Sequence, residues 1–295
     1  MIQGGTILIT LIGIILSVLA LIFRQKENYN RAPRKIWTYW DNGPGKESRP
    51  LPKAVKLCMD SWHKFNPDYE IVLLTKKNYQ GYITIPDDIR KHPHFNDSAQ
   101  RFSDLVRLYA LEEHGGIWLD ASVLVKQPFD EWLFPKYAEF AGYYMPSLTS
   151  DPKYPMIESW FLAANKGSKF IKLWKQEFLE MAIFKDIQGY IDSRKKMGIQ
   201  FDKLRSAHYL AIYVAALKVL QIDQYPQDTL ILRDSDIGPY KYLADADWWP
   251  EKGVALACSN KKYQTPVMKM RSDERKILEA GLDDDLSIEK CGWLT

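Results

Sequence analysis

The most apolar stretch of the chain lies at its beginning. Residues 1–23 carry no charged side chain, and thirteen of the seventeen residues in Ile7–Phe23 are Ile, Leu, Val or Phe. A helix of this length reaches about 34 Å, enough to cross a hydrocarbon core of about 30 Å. The pattern predicts an uncleaved single-pass transmembrane anchor over 1–23. A buried helix and a cleaved signal peptide are the alternatives, although no small-residue cleavage site precedes Arg24.

The sequence gives two opposite indications of the orientation of this span. Basic residues follow the span: Arg24, Lys26, Arg31, Arg34 and Lys35. Under the positive-inside rule, this bias places the downstream domain in the cytoplasm. Asn96-Asp97-Ser98 is a glycosylation sequon, which suits a domain in the lumen of the Golgi or the endoplasmic reticulum. Both orientations stay open.

Beyond a polar linker at 24–34, short apolar runs alternate with amphipathic ones. Runs rich in β-branched and aromatic residues predict strands at Lys35–Trp40, Tyr69–Leu74, Ile117–Leu119, Val123–Val125, Phe140–Met145 and Trp160–Ala164. Helical spacing of apolar residues predicts helices at Pro52–Lys64, Ser98–His114, Phe170–Met181 and Phe201–Leu220. The alternation predicts one α/β domain over 35–295, with a mostly parallel or mixed sheet covered by helices on both faces.

Composition removes several functional classes. The 295 residues are 46% hydrophobic and 26% charged, which is ordinary for a globular protein. The net charge is only +3 and no basic block stands out, which argues against nucleic acid as a partner. The three cysteines form no CxxC pair, which argues against a disulfide framework and a structural zinc site.

One segment concentrates candidate chemistry. The helix predicted over Ser98–His114 carries Asp104 and Arg107 three positions apart, so both lie on one face. A Gly-Gly pair then permits a tight turn into a strand that ends at Asp120. Ligands of open α/β sheets bind at such strand ends, where a carboxylate can hold a divalent cation. An ordinary surface ion pair between Asp104 and Arg107 is the alternative.

The same segment resembles the donor-binding core of GT-A glycosyltransferases, in particular the capsular polysaccharide synthesis proteins and the DXD sugar-transferase (mannosyltransferase-like) group. Their shared order is S-D-x-x-R on a helix, then G-G-[I/M]-[Y/W]-L-D-x-[D/T/S], which this chain matches with Ser103–Arg107 and Gly115–Ser122. Further matches extend over about residues 35–180: Lys35–Asp41, Ser61-Trp62, Asn66–Tyr69 and Ile157–Asn165. The resemblance implies a GT-A, Rossmann-like mixed sheet of the nucleotide-diphospho-sugar transferase type.

The resemblance also implies residue roles on the donor side. Tyr39 and Trp40 would flank the base of the nucleotide. Asp104 and Arg107 would contact the donor sugar and its diphosphate, and together with Asp120 they would form the catalytic set. A guanidinium suits phosphate oxygens because it offers a planar fork of donors.

A second group of roles concerns ribose, metal and acceptor. Asp120 and Ser122 would bind the ribose and a divalent cation, Mn²⁺ or Mg²⁺, and Glu158 and Ser159 would contact the donor sugar or the acceptor. Ser122 departs from the D-x-D pattern, and its neutral hydroxyl is a weaker ligand for a hard cation. Another carboxylate could complete the site. Besides Glu158, the candidates are the literal D-x-D at 245–247 and the pair at 234 and 236.

The sequence therefore predicts a membrane-anchored glycosyltransferase. It would move a sugar from a nucleotide-sugar donor to a polysaccharide, a glycolipid or a glycoprotein glycan. The resemblance implies retention of stereochemistry, with no dedicated base. The alternatives are a degenerate GT-A protein that serves as a membrane-tethered scaffold or glycan-binding module, and a nucleotidyltransferase on a similar sheet.

Overall fold

A computed structural model describes residues 32–43, 49–133, 138–259 and 263–283. The anchor predicted over 1–23 and most of the linker lie outside these residues. In the described ranges, no helix is both long enough and apolar enough to cross a bilayer.

Eight strands occur in the described residues: β1 (Lys35–Tyr39), β2 (Glu70–Leu74), β3 (Gly116–Leu119), β4 (Val123–Val125), β5 (Phe140–Tyr144), β6 (Ile157–Ala164), β7 (Leu230–Asp234) and β8 (Val267–Lys269). The α-helices of the same part of the chain are α1 (Lys53–Phe65), α2 (Asp87–Arg90), α3 (Pro93–Asn96), α4 (Ala99–His114), α5 (Phe129–Trp132), α6 (Lys169–Leu179), α7 (Ile187–Lys196), α8 (Ala211–Gln221), α9 (Lys241–Ala244), α10 (Pro250–Ser259) and α11 (Ser272–Asp283). Short 3₁₀ turns lie at Tyr79–Gly81, Pro146–Leu148 and Glu180–Ile183.

Six strands form a mixed sheet in the order β2-β1-β3-β6-β5-β7. The β2-β1-β3 part and the β5-β7 pair are parallel, whereas β6 runs antiparallel to both of its neighbours. Strands β4 and β8 form a separate antiparallel pair. The predicted mixed α/β architecture is therefore confirmed.

Apolar side chains cover both faces of this sheet. On one face, the core contains buried residues of α4, α6 and α8, with Trp118 from β3. On the other face, α1 and the β4-β8 pair pack against the sheet together with residues of α9, α10 and α11. Both faces are covered because side chains alternate along each strand, so that Trp37 faces the first core and Ile36 the second.

Several boundaries differ from the sequence prediction. The helix predicted from Phe201 begins only at Ala211, and residues 201–210 form successive turns closed by bonds such as that from Tyr209 N–H to Ser206 O. Strand β6 begins at Ile157 rather than at Trp160, so its polar first residues are part of the sheet. Ile157 pairs with Tyr144 of β5, and the register between the two strands shifts across the polar residues that follow it.

Candidate active site

Asp104 and Arg107 lie on the buried face of α4. Their relative exposures are 1% and 4%, so the alternative of a surface ion pair is wrong. Arg107 Nη2 lies 2.9 Å from Asp104 Oδ1 and 3.4 Å from Asp120 Oδ1. Arg107 Nη1 donates to the carbonyl oxygen of Ser159 at 2.5 Å. One guanidinium thus joins α4 to the residue that follows β3 and to the first residues of β6.

Asp120 follows β3 directly, so it lies at the carboxyl end of this central strand, as the sequence predicted. Its backbone N–H donates to Trp160 O at 2.9 Å, which fixes the residue against β6. Its Oδ1 accepts a hydrogen bond from Trp118 Nε1 at 3.2 Å. The side chain is 28% exposed, in contrast to the buried Asp104 and Arg107 side chains. Asp120 is therefore the most accessible member of the cluster.

Lys269 completes the cluster from the far end of the described chain. The β4-β8 pair sets Val123 opposite Lys269, and Met270 N–H donates to Ser122 O at 3.0 Å. Lys269 Nζ lies 2.8 Å from Asp120 Oδ2 and donates to Ser122 Oγ at 2.8 Å. The lysine side chain is 9% exposed. An ammonium group therefore bridges the carboxylate and the hydroxyl that the sequence assigns to a metal.

The supporting matches on α1 hold strand β4 in place. Ser61 Oγ accepts the backbone N–H of Val125 at 2.9 Å. Trp62 Nε1 donates to Val123 O at 2.7 Å. Asn66 Oδ1 accepts the N–H of Phe129 at 2.8 Å. These side chains position the segment that follows Asp120 by hydrogen bonds, and none of them has to touch a substrate.

Glu158 lies one strand away from Asp120, on β6. It is 2% exposed and accepts a hydrogen bond from the indole N–H of Trp160. Burial raises the pKa of Glu158 to about 8, although the Trp160 bond and the charge of Lys269 oppose the shift. Asp236 raises the pKa of Glu158 further and therefore lies within electrostatic reach of it. The neighbouring Ser159 contributes its backbone carbonyl to Arg107.

The two aspartates of the cluster have opposite pKa shifts. Burial raises the pKa of Asp104 to about 7, with Arg107 opposing the shift and Asp120 adding to it. Burial also acts to raise the pKa of Asp120, but Lys269 and Arg107 together hold it well below its usual range. Asp120 is therefore ionised at neutral pH, whereas Asp104 titrates near it. Divergent pKa values among neighbouring carboxyl groups are typical of functional sites.

The two aromatic residues expected to flank a base lie in different surroundings. Tyr39 is 7% exposed, with its ring 5.8 Å from that of Phe102, and its hydroxyl lies 3.3 Å from Asp41 Oδ2. It is a core residue, so this placement does not support the base-stacking role expected for it. Trp40 is partly exposed, and the Arg275 guanidinium lies 4.8 Å from the centre of its ring.

The sequence that carries these residues matches a known family. Residues 17–186, more than half of the chain, match the family model described as capsular polysaccharide synthesis protein. The chain belongs to this family. The resemblance that the α4–β3 motif predicts is thereby confirmed, and the matched region contains the whole cluster except Lys269.

Two curated relatives of this capsular polysaccharide synthesis family member are glycosyltransferases. The O-glycosyltransferase braB of Annulohypoxylon truncatum is 26% identical over 168 residues, which are 50% of this chain and 37% of that protein. The initiation-specific alpha-1,6-mannosyltransferase of Candida albicans is 27% identical over 106 residues, 34% of this chain and 27% of that protein. The chain therefore spans less than two fifths of the length of these relatives.

One of the similar solved structures is that of the galactosyltransferase LgtC in complex with donor and acceptor sugar analogs. It is 12% identical in sequence, with a TM-score of 0.40, over 84% of this chain and 95% of that chain. This likeness is too distant to carry over the role of any residue.

The two side-chain oxygens expected to bind a metal are poor ligands for a hard divalent cation. Asp120 supplies the only carboxylate of the pair, Ser122 supplies a neutral hydroxyl, and both already bind the Lys269 ammonium. The other D-x-D carboxylates do not join them. Asp245 pairs with Lys241 at 2.9 Å and accepts a hydrogen bond from Tyr263, and Asp234 caps a turn by accepting N–H bonds from the two residues that follow Ser235.

Sequence reasoning missed Lys269 and two tyrosines at this site. Lys269 is a lone charge inside the apolar run 267–270, which is a signal for a buried partner. Burial is the largest cause of the raised pKa values of Tyr209 and Tyr213. The charges of Asp104 and Asp120 raise the pKa of both phenols further. Tyr209 is 55% exposed and so lies at the rim, whereas Tyr213 is buried.

Proposed function

We propose that this family member is a glycosyltransferase that moves a sugar from a nucleotide-diphosphate donor to the hydroxyl of a glycan or glycolipid. The observation that supports this function is the convergence of Asp104, Arg107 and Asp120 on one cluster at the carboxyl end of β3. This is the position at which open α/β sheets bind ligands. The family match and the names of the relatives supply the reaction class.

In the proposed reaction, the bond between the anomeric carbon and the β-phosphate oxygen breaks, and its electron pair leaves with the diphosphate. A bond forms between the anomeric carbon and the acceptor oxygen, and the acceptor proton passes to the departing phosphate oxygen. The acceptor attacks from the face that the diphosphate leaves, so this route retains the configuration of the sugar and needs no dedicated base. The protein then has to hold the reactants in place and stabilise the developing negative charge.

Arg107 is proposed to act mainly as a positioning residue. Its guanidinium is 4% exposed and is directed at Asp104, Asp120 and the carbonyl of Ser159. It also lies 5.0 Å from the centre of the Trp118 ring, in a cation–π arrangement. A group with all of these partners orients the two carboxylates, and its positive charge contributes to the electrostatic field around them.

The carboxylates are proposed to bind the hydroxyl groups of the donor. Ionised Asp120, which is partly exposed, accepts hydrogen bonds from ribose or sugar hydroxyls. Asp104 lies deeper and exchanges its proton near neutral pH, so it serves as acceptor or donor toward the sugar. Glu158 is protonated at neutral pH and offers an O–H donor to the donor sugar or the acceptor.

Membrane anchoring through 1–23 remains a proposal that rests on the sequence alone. An anchor of this kind would keep the enzyme near lipid-linked or envelope acceptors.

The function is tested with the full-length protein in detergent, using a panel of nucleotide sugars. Hydrolysis of the donor and transfer to simple sugar acceptors are followed with and without Mn²⁺. We expect at least one donor to be turned over and Asp120→Asn to lower this rate at least 100-fold, while Asp60→Asn, at an exposed pair with Lys56, leaves it unchanged. Absence of turnover with every donor would favour the scaffold alternative, and full activity of Asp120→Asn would refute the site.

A further inference from the structure

A lysine ammonium occupies the place that the family pattern gives to a metal ion. Lys269 Nζ lies 2.8 Å from Asp120 Oδ2 and 2.8 Å from Ser122 Oγ. These are the first and third positions of the D-x-D pattern, which is D-x-S in this chain. The bridging group therefore contacts the same two side chains that would ligate a divalent cation.

The backbone around Lys269 is fixed on both sides, so the position of the ammonium is built into the fold. Lys269 N–H donates to Pro239 O at 3.3 Å, and Tyr242 Oη donates to Lys269 O at 2.7 Å. The next residue donates its N–H to the carbonyl of Ser122 at 3.0 Å. Strand β8 therefore directs this side chain at the loop that follows β3.

The partners of Lys269 match an ammonium group better than a metal. One carboxylate and one hydroxyl satisfy two of its three N–H donors and leave the third for a ligand. A hard divalent cation takes six or more oxygen ligands and favours carboxylates. Ser122 suits this arrangement because its neutral hydroxyl accepts a hydrogen bond from the ammonium, whereas it would be a weak ligand for a hard cation.

Electrostatics also disfavours a metal while Lys269 stays charged. Arg107 and Lys269 bring two positive charges to the cluster, and Asp120 contributes one firm negative charge. A metal ion bound by the same two oxygens would lie within a few Å of the ammonium. At such a separation, the two positive charges repel each other strongly even at an effective dielectric constant of about 20.

We propose that Lys269 replaces the divalent cation of related transferases and binds the diphosphate of the donor, so that this enzyme works without metal. The inference rests on the proposed function and deepens it. Lys269 lies outside the matched residues 17–186, so the family pattern does not include it. The ammonium neutralises charge on the leaving diphosphate as the bond to the sugar breaks, and it needs no proton transfer to do so.

The first test compares the untreated full-length protein with the same protein in excess EDTA and in Mn²⁺. Binding of UDP and GDP is measured by calorimetry, and donor turnover is measured in parallel. We expect both quantities to change less than twofold between EDTA and Mn²⁺. If EDTA abolishes turnover and Mn²⁺ restores it, the role of Lys269 is refuted and the proposed function stands. If no donor is turned over under either condition, the proposed function itself fails, and with it this inference.

The second test removes the ammonium. Lys269→Met is expected to weaken binding of the preferred nucleotide at least tenfold in EDTA and to lower turnover at least 100-fold. Lys276→Met, at an exposed lysine seven residues further along, is the matched control and should behave as the unmodified protein. Lys269→Arg keeps the charge and should retain part of the binding, which guards against a loss that reflects misfolding alone. Unchanged nucleotide binding by Lys269→Met would overturn the proposal.

The third test converts the site. The double variant Ser122→Asp, Lys269→Ala restores a D-x-D carboxylate pair and frees its oxygens. We expect Mn²⁺ to raise its turnover at least tenfold, whereas the unmodified protein should not respond. A double variant that binds nucleotide and turns over as well in EDTA as in Mn²⁺ would contradict the replacement of a metal by Lys269.

Discussion

The indole Nε1 of Trp37 donates a hydrogen bond to the carbonyl oxygen of Gly115 at 2.9 Å. Trp37 lies in β1, and Gly115 ends α4, so the bond ties the end of the site helix to the neighbouring strand. The next residue, Gly116, pairs with Ala164 of β6 and begins β3. The position of Asp120 at the carboxyl end of β3 depends on this turn.

Gly116→Ala should destabilise the protein strongly. Gly116 has φ of +102°, and a Cβ atom there would lie 2.6 Å from the carbonyl oxygen of Lys35. Gly198 has φ of +85°, but nothing lies within 4 Å of its Cβ position. Gly198→Ala should therefore cost only the conformational strain, about 1–2 kcal/mol, whereas Gly116→Ala adds a backbone clash and should cost more than about 3 kcal/mol.

Urea denaturation followed by circular dichroism measures both losses. Gly81→Ala is a further control, because its Cβ position is open and its φ lies outside the left-handed region. Equal losses for Gly116→Ala and Gly198→Ala would show that the approach of β1 to the turn is not close.

The local part of this arrangement could be predicted from the sequence. Ser98 caps α4 through its Oγ, which accepts the N–H of Arg101 at 3.3 Å, and the two glycines end the helix as expected. These features depend on residues that are close together in the chain. The i,i+3 spacing of Asp104 and Arg107 likewise placed them on one face without knowledge of the fold.

Ser61→Ala should lower turnover by disturbing strand β4. Its hydroxyl accepts the Val125 N–H at 2.9 Å, so its removal loosens the strand that follows Ser122. Ser168 is a matched control far along the chain, because its hydroxyl also accepts a backbone N–H, that of Ile171, at 3.2 Å. Ser61→Ala should lose about 1 kcal/mol of stability, the value of a typical hydrogen bond. Ser168→Ala should lose at least as much, because Ser168 Oγ also donates to the buried carboxylate of Glu139 at 2.8 Å.

Only Ser61→Ala should also reduce donor turnover, by about tenfold. Thermal unfolding and turnover are measured on the same preparations, so that the loss of stability is common to both variants. An equal effect of the two variants on turnover would contradict the idea that α1 supports the site by positioning β4.

Trp40→Ala should weaken nucleotide binding, and Tyr39→Phe should not. Trp40 is partly exposed, whereas Tyr39 is buried against Phe102. Stacking of one base on an aromatic ring contributes about 1–3 kcal/mol, which corresponds to a loss of about tenfold or more in affinity. Calorimetric titration with UDP and GDP checks both variants. A comparable loss for Tyr39→Phe, which keeps the ring, would show that the Tyr39 hydroxyl contributes to nucleotide binding.

The sequence could not separate Tyr39 from Trp40, because the choice depends on which face of β1 meets which core. It could not supply Lys269 either, since the pairing of Val123 with Lys269 joins residues far apart in the chain. The metal expectation followed from the strand-end position of Asp120 and from the family resemblance, and Ser122 already weakened it. Whether those oxygens are available to a metal is decided by a side chain that only the folded chain brings to them.

Glu158→Gln should flatten the dependence of stability on pH. Glu158 has a folded-state pKa of about 8, against an ordinary value near 4.5, because it is buried. Between these two values the folded protein holds a proton that the unfolded chain has released. Stability from this group is therefore complete below about pH 4.5 and is lost as the pH rises through 8. Asp104, with a pKa of about 7, acts in the same direction between about pH 4 and 7.

The free energy of unfolding of the unmodified protein should consequently fall from pH 5 to pH 8. Asp120 does not change in this window, because its pKa lies well below the usual range and its contribution is lost only in acid. Glu158→Gln removes one of the two titrations, so its decline should be clearly smaller, with Glu131→Gln, at an exposed position, as the control. Each unit of pKa separation is worth about 1.4 kcal/mol, which is within the precision of urea denaturation at several pH values. A decline in Glu158→Gln as steep as in the control would mean that Glu158 is ionised in the folded protein at neutral pH, and the O–H donor proposed for the sugar site would then be absent.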